Sequence, residues 1–181
     1  TIDLTGKQPK MDMTIDLEKA LLTKLGFTTG PNTNFVSKVK LDVVGVNPNT
    51  MEGEMLFTGL NYTEGDKVID IPSLRLKVDR SADNDVFDIT STLLTGRVEG
   101  KVNFNEVVPN FQVQFAQIFP GFYNYTDTRK KKAINNDHFS YTLTTGDLKQ
   151  FLSIFVPDLS ISPGTTLVGD YDGSNKDFDL L

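Results

Sequence analysis

Apolar and polar residues alternate one for one through most of this chain. Val39, Leu41 and Val43 interleave with Lys38, Lys40 and Asp42, and Met55 and Phe57 with Glu54 and Thr58. Leu74, Leu76 and Val78 interleave with Arg75, Lys77 and Asp79, and Phe87 and Ile89 with Asp88 and Thr90. Val98, Val102 and Phe104 share a side with Gly100 and oppose Arg97, Glu99, Lys101 and Asn103, and Phe139, Tyr141 and Leu143 oppose Ser140, Thr142 and Thr144. A period of two is the signature of a strand with one apolar face. Turn residues punctuate the runs at Asn47-Pro48-Asn49, Glu64-Gly65-Asp66, Ser81 to Asp85 and Thr95-Gly96. Connections this short pair neighbours antiparallel, so the apolar sides collect on one face of one sheet. The expected class is mainly β, with a meander over 51–104.

Helical spacing interrupts this pattern in three places. Asp147 precedes Leu148, Phe151, Leu152 and Phe155 at i, i+3, i+4 and i+7, which predicts an N-capped amphipathic helix that Pro157 ends. Leu159 and Ile161 then resume alternation, Ser162 to Thr165 turns the chain, and Leu167, Gly169 and Tyr171 share a face. Asp16 stands in the same relation to Leu17, Leu21 and Leu25, with Gly26 as the stop. Phe111, Phe115, Ile118 and Phe119 predict a third short helix before Pro120-Gly121, although Phe111, Val113 and Phe115 also alternate. Aligning the two Asp-Leu helices gives repeat-like strand–helix–strand units at about 11–60 and 139–181 within a single fragment. The start at Thr1 and the stop at Leu180-Leu181, inside a strand pattern, predict a piece cut from a longer array.

Composition narrows the chemistry. A net charge of −6 argues against a phosphate-binding surface, and the one basic run, Arg129 to Lys132, reads as a solvated loop or a contact for anionic lipid or a partner. The chain has no cysteine, so disulfides and thiolate chemistry are excluded. No apolar run reaches the roughly 18–20 residues of a membrane span. His138 is the only histidine and lies in a polar turn, with no GxSxG serine to serve. Asp170, Asp172 and Gly173 match a calcium loop only in part, and Asp79, Asp83, Asp85 and Asp88 surround a hairpin turn that selects such residues for backbone reasons. The expectation is a protein that is not an enzyme, with no cofactor, no metal and no nucleic-acid partner.

What remains is the apolar face, and alternation alone would equally line a closed sandwich or barrel. The Asp-Leu helix units and the run GEMLFTGLNYTEGDKVIDIPSLRLKVDRSADNDVFDITSTLLTGRVEGKVNF resemble the TamB family of AsmA-like proteins in its Bacteroidetes form. The likeness lies in the order of elements: a Gly-Glu strand, a Tyr before a Gly-Asp hairpin, an LRLKVDR strand, an acidic turn and a Gly-rich return. It covers most of the chain, and none of its motifs is catalytic.

The resemblance implies a periplasmic protein anchored in the inner membrane, whose repeated β units form a long U-shaped groove toward the outer membrane; the fold expected of this piece is mainly β, antiparallel amphipathic strands forming such an open groove or an incomplete barrel, with two or three short helices. Such proteins are associated with phospholipid movement between membranes and with outer-membrane protein assembly. The positions it places in a lipid groove are Val39, Leu41, Val43, Met55, Phe57, Leu74, Leu76, Val78, Phe87, Ile89, Val98, Val102 and Phe104. The implied partners are phospholipid acyl chains and an outer-membrane assembly protein met through a C-terminal region outside this sequence. Two functional readings stand: a lipid conduit, and a scaffold whose open edges pair with outer-membrane protein strands by β-augmentation. A plain sandwich domain is the third.

Overall fold

The computed structural model describes residues 1–3, 5–6, 8–20, 33–82, 84–107, 110, 113, 137–155, 159–174 and 177–180. Ten strands form one antiparallel sheet in strict chain order: β1 (Ile2–Asp3), β2 (Lys10–Ala20), β3 (Thr33–Val44), β4 (Glu52–Glu64), β5 (Lys67–Asp79), β6 (Asp85–Ser91), β7 (Leu94–Lys101), β8 (His138–Thr145), β9 (Thr166–Asp172) and β10 (Asp177–Leu180). The first and last strands do not meet, so the sheet is open, and the described residues contain no second sheet. The closed-sandwich alternative is not what the described residues form: nine antiparallel neighbour pairings account for all ten described strands. The open antiparallel sheet with short helices stands as read.

Turn chemistry sets the register. Glu64 faces Lys67 across the two-residue Gly65-Asp66 turn, and Gly65 adopts φ +59°, which a side chain would disfavour. Asn47 turns the chain into β4 by accepting from the Thr50 and Met51 amides on its carbonyl and from the Asn49 amide on its side chain. The turn expected at Thr95-Gly96 lies earlier, at Thr92-Leu93. There the Ser91 hydroxyl accepts from the amides of Leu93 and Leu94, which frees Thr95 and Gly96 to pair with Thr90 and Ile89.

The helices divide into one that holds and two that change. Asp147 caps as expected, its Oδ1 accepting from the Lys149 amide at 3.0 Å, and the helix Lys149–Phe155 follows. It lies over β5, with Lys67 Nζ donating to the Ser153 carbonyl at 2.7 Å. Leu159 and Ile161, expected in a strand, lie in an irregular approach to the Ser162–Thr165 turn. Asp16 caps nothing: it sits inside β2 opposite Lys38, and Leu17 to Ala20 are strand. The alternation of Met11, Met13, Ile15 and Leu17 runs straight through Asp16, so pairing with β3 outweighs the four-residue leucine spacing; positions 21–27 lie outside the described residues. The third helix starts earlier than expected. Asn103 accepts from the Glu106 and Val107 amides on its carbonyl and from the Asn105 amide on Oδ1, and residues 104–107, 110 and 113 are helical. Val102 and Phe104 thus lie beyond the end of β7 at Lys101. Positions 108–109, 111–112 and 114–136, among them Phe111, Phe115, Ile118, Phe119 and the Arg129–Lys132 run, lie outside the described residues.

Leu152 is the buried anchor of the Asp147-capped helix, while Phe151 is 38% exposed. A charge at Leu152 would be desolvated without a partner, so Leu152→Asp is expected to lower stability by about 3 kcal/mol and Phe151→Asp by under about 1 kcal/mol. Urea denaturation of the two variants measures the difference; equal losses would show the helix docked on its other side.

Candidate functional site

Register converts the separate strand patterns into rows that cross the sheet. The central row runs Met13, Leu41, Met55, Leu76, Ile89, Gly96, Leu143, Leu167 from β2 to β9. On one side of it lies the row Met11, Val43, Gly53, Val78, Phe87, Val98, Tyr141, Gly169. On the other lies the row Ile15, Val39, Phe57, Leu74. Strands spaced by about 4.8 Å make the central row roughly 34 Å long.

Burial differs between the centre and the flanks. Every side chain of the central row is only half-buried. At one end of the strands Val102, Phe139 and Tyr171 form a closed cluster with Phe87, Val98, Phe104, Val107 and Tyr141 around it. Tyr171 is fully buried, stacked on Phe139 at 4.9 Å between ring centroids, and its hydroxyl accepts from Asn110 Nδ2 at 2.8 Å. At the other end Leu60, Ile69 and Ile71 form a second cluster with Phe35, Phe57, Tyr62, Leu74 and Leu93. An apolar strip bounded by two packed ends therefore crosses the sheet, with its middle still accessible.

Of the thirteen groove positions inferred from sequence, Val39, Val43, Val78 and Val102 are buried, and Leu41, Met55, Phe57, Leu74, Leu76, Phe87, Ile89, Val98 and Phe104 are half-buried. Eleven lie in the strand rows; Val102 and Phe104 join the same face from the helix approach, with Phe104 edge-on to Phe87 at 5.2 Å. Sequence reasoning missed Leu60, Ile69 and Ile71, because the inward parity changes within β4 and β5. Gly59 (φ +59°) and Pro72 mark the change: Thr58 and Gly59 are exposed in succession, as are Pro72 and Ser73. The β3–β4 register slips beside Gly59, while the β4–β5 register passes through unbroken, so both strands shift their inward set together.

The opposite face is polar and self-paired. A cleft of about 680 Å³ there is lined by Arg75, Lys77, Asp88, Thr90, Arg97, Glu99, Ser140 and Thr142, among others. Its cations already have partners: Arg75 binds Glu54, Lys77 binds Asp79 at 2.6 Å, and Arg97 binds Glu99 at 2.6 Å and Asp88 at 3.2 Å. The bond to Glu54, and then its charge, holds the Arg75 guanidinium above its ordinary value, and the bond to Glu99 raises Arg97. Exposed pairs of this kind contribute little stability, about 0–1 kcal/mol each.

Of the residues weighed for other chemistry, Asp79, Asp85, Asp88 and Asp172 are in structural use, and Asp83 lies outside the described residues. His138 is exposed at the start of β8. Asp172 Oδ1 accepts from the Ser174 amide at 2.9 Å and hydroxyl at 2.6 Å, forming a turn. Asp85 is buried against Arg80 Nη1 at 2.8 Å. Among the described residues no group of three or more His, Asp or Glu side chains is placed to hold a metal ion.

No family model matches this chain, and no curated protein and no solved structure matches it either.

Proposed function

We propose that this chain is a non-enzymatic segment of a TamB-like, AsmA-like protein of the periplasm, whose parent is anchored in the inner membrane. Its apolar face conducts phospholipid acyl chains toward the outer membrane. The observation that carries this reading is the half-buried central row, an apolar strip running across the strands of a sheet that does not close. An acyl chain spans about half of a ~30 Å hydrocarbon core, so a strip of roughly 34 Å exceeds one chain and permits movement along it. Each methylene withdrawn from water contributes about 0.8 kcal/mol. Leu, Met and Ile side chains spread that gain evenly, with no deep stop. The polar cleft on the other face is a poorer candidate, since its cations are already bound to carboxylates.

Leu76 lies mid-row between Met55 and Ile89, and Lys77 points to the other face. A photo-crosslinking residue at position 76 is expected to capture phospholipid in cells and one at position 77 to capture none. Leu76→Glu is expected to leave a folded chain that no longer co-purifies with phospholipid in native mass spectrometry. Equal labelling at both positions, or none at either, would sink the conduit.

A further inference from the structure

The apolar strip changes width along its length. On β3, Val39 is 5% exposed and Val43 2%, while Leu41 between them is half-buried. Inward residues recur every second position, so the accessible floor at β3 is roughly 6.6 Å wide. On β9, Gly169 and Tyr171 are buried and Leu167 beside them is half-buried. Between these two strands the floor broadens. Strands β4 to β8 each leave at least two neighbouring inward positions half-buried, among them Met55 with Phe57, Leu74 with Leu76 and Tyr141 with Leu143.

Chain dimensions meet the two widths differently. Apolar groups in contact lie about 4–4.5 Å apart, so two polymethylene chains abreast need roughly 9 Å. Two inward positions span roughly 13 Å and accept such a pair, whereas the single position at Leu41 accepts one chain. Length agrees as well. Five strands spaced by about 4.8 Å place β4 and β8 roughly 19 Å apart, against about 15 Å for an acyl chain, half of a ~30 Å hydrocarbon core. The broad part therefore matches the two chains of one diacyl lipid lying side by side across the strands.

Resting on the phospholipid reading above, we propose that β4 to β8 form a seat for one diacyl phospholipid with its chains abreast, and that Leu41, between buried Val39 and Val43, is a waist that passes one chain at a time. Passage chain by chain keeps one chain on the apolar floor throughout. The waist thus orders the movement without adding a deep stop.

The test uses this whole chain, freed of lipid and made with photo-leucine in part of its leucine positions, and two probes: dihexadecanoyl phosphatidylethanolamine and hexadecanoic acid. Native mass spectrometry is expected to show one phospholipid per chain at saturation. Hexadecanoic acid should bind at least twice, the second molecule within about tenfold of the first. After illumination, peptide mapping should find the phospholipid on Leu74, Leu76 and Leu143, with Leu41 labelled at least fivefold less than Leu76. The single-chain acid should label Leu41 and Leu76 to a like degree, since one chain fits at both. Two phospholipids per chain, a single fatty acid at saturation, or phospholipid labelling of Leu41 equal to that of Leu76 would overturn the seat and its waist while leaving the conduit standing. Binding of neither probe would overturn both. No substitution has to fold for any of these readouts.

Discussion

Replacing Arg80 with methionine is expected to lower the unfolding free energy by about 3–5 kcal/mol, because it strands a buried carboxylate. The Asp85 and Arg80 side chains are only 8% and 13% exposed, at the rim where the apolar rows of β5 and β6 end. The guanidinium has a different acceptor for each nitrogen: Nη1 binds Asp85 Oδ2 at 2.8 Å, Nε the Met51 carbonyl at 3.0 Å, and Nη2 the Pro48 carbonyl at 2.6 Å. It also lies over the Phe87 ring, 5.0 Å from the centroid. Lys101 Nζ, at 3.7 Å from Asp85, is the other cation on that carboxylate, and it is half-exposed, so it would screen only part of the charge. Arg80→Lys cannot serve three divergent acceptors from one ammonium and should recover little. Removing both charges, as Arg80→Met with Asp85→Leu, should recover most of the loss, since the cost lies in the uncompensated charge. Urea denaturation with an unchanged m-value measures all three. A loss under about 1 kcal/mol for Arg80→Met would mean that water reaches Asp85.

This pair illustrates which part of the molecule the sequence discloses. Asp85 reads as one of several acids around a turn, and nothing in the local pattern says that it points inward. Its orientation follows from register: Val78 pairs with Phe87, so the next inward positions, Arg80 and Asp85, come together beyond them. By contrast, the strand rows through Leu41, Met55, Leu76 and Ile89 were legible, because alternation fixes a face wherever the neighbours are hairpins. Face assignment failed where two adjacent strands change parity together, at Gly59 and Pro72, since a period-two reading has no means of counting a shift that both partners share. Helix assignment failed at Asp16 for a related reason. Met11, Met13, Ile15 and Leu17 alternate straight through Asp16, and β3 supplies a pairing partner that helix propensity cannot outweigh. At Asn103 the missed signal was present, a capping residue followed by Glu106, but it lay inside a run that still alternated.

The apolar face is the legible part of the candidate site, and its continuity depends on positions that carry no side chain. Gly100→Ala is expected to cost roughly 3 kcal/mol or more and Gly59→Ala only about 1–2 kcal/mol, although both glycines have positive φ. At Gly59 (φ +59°) an added Cβ would meet nothing within 4 Å, so the cost is the left-handed backbone alone. At Gly100 (φ +138°) the Cβ would overlap the His138 carbonyl oxygen and the Phe139 Cα, which are backbone atoms of β8 and cannot rotate away. Gly53 (φ +123°) stands in the same relation to the Asp42 carbonyl oxygen and to the Val43 Cα, at 2.9 Å, and Gly53→Ala should behave like Gly100→Ala. Relief at Gly100 requires β8 to move off β7, which would part Val98 from Tyr141 and Gly96 from Leu143 and so cut the apolar rows before their last strands. Gly100→Ala should therefore speed hydrogen exchange across β8 and reduce co-purifying phospholipid together, whereas Gly59→Ala should leave both near wild type. Equal stability losses in the two variants, with β8 exchange unchanged, would show that the strand accommodates the methyl group and that the close approach at Gly100 is not what joins the two halves of the face.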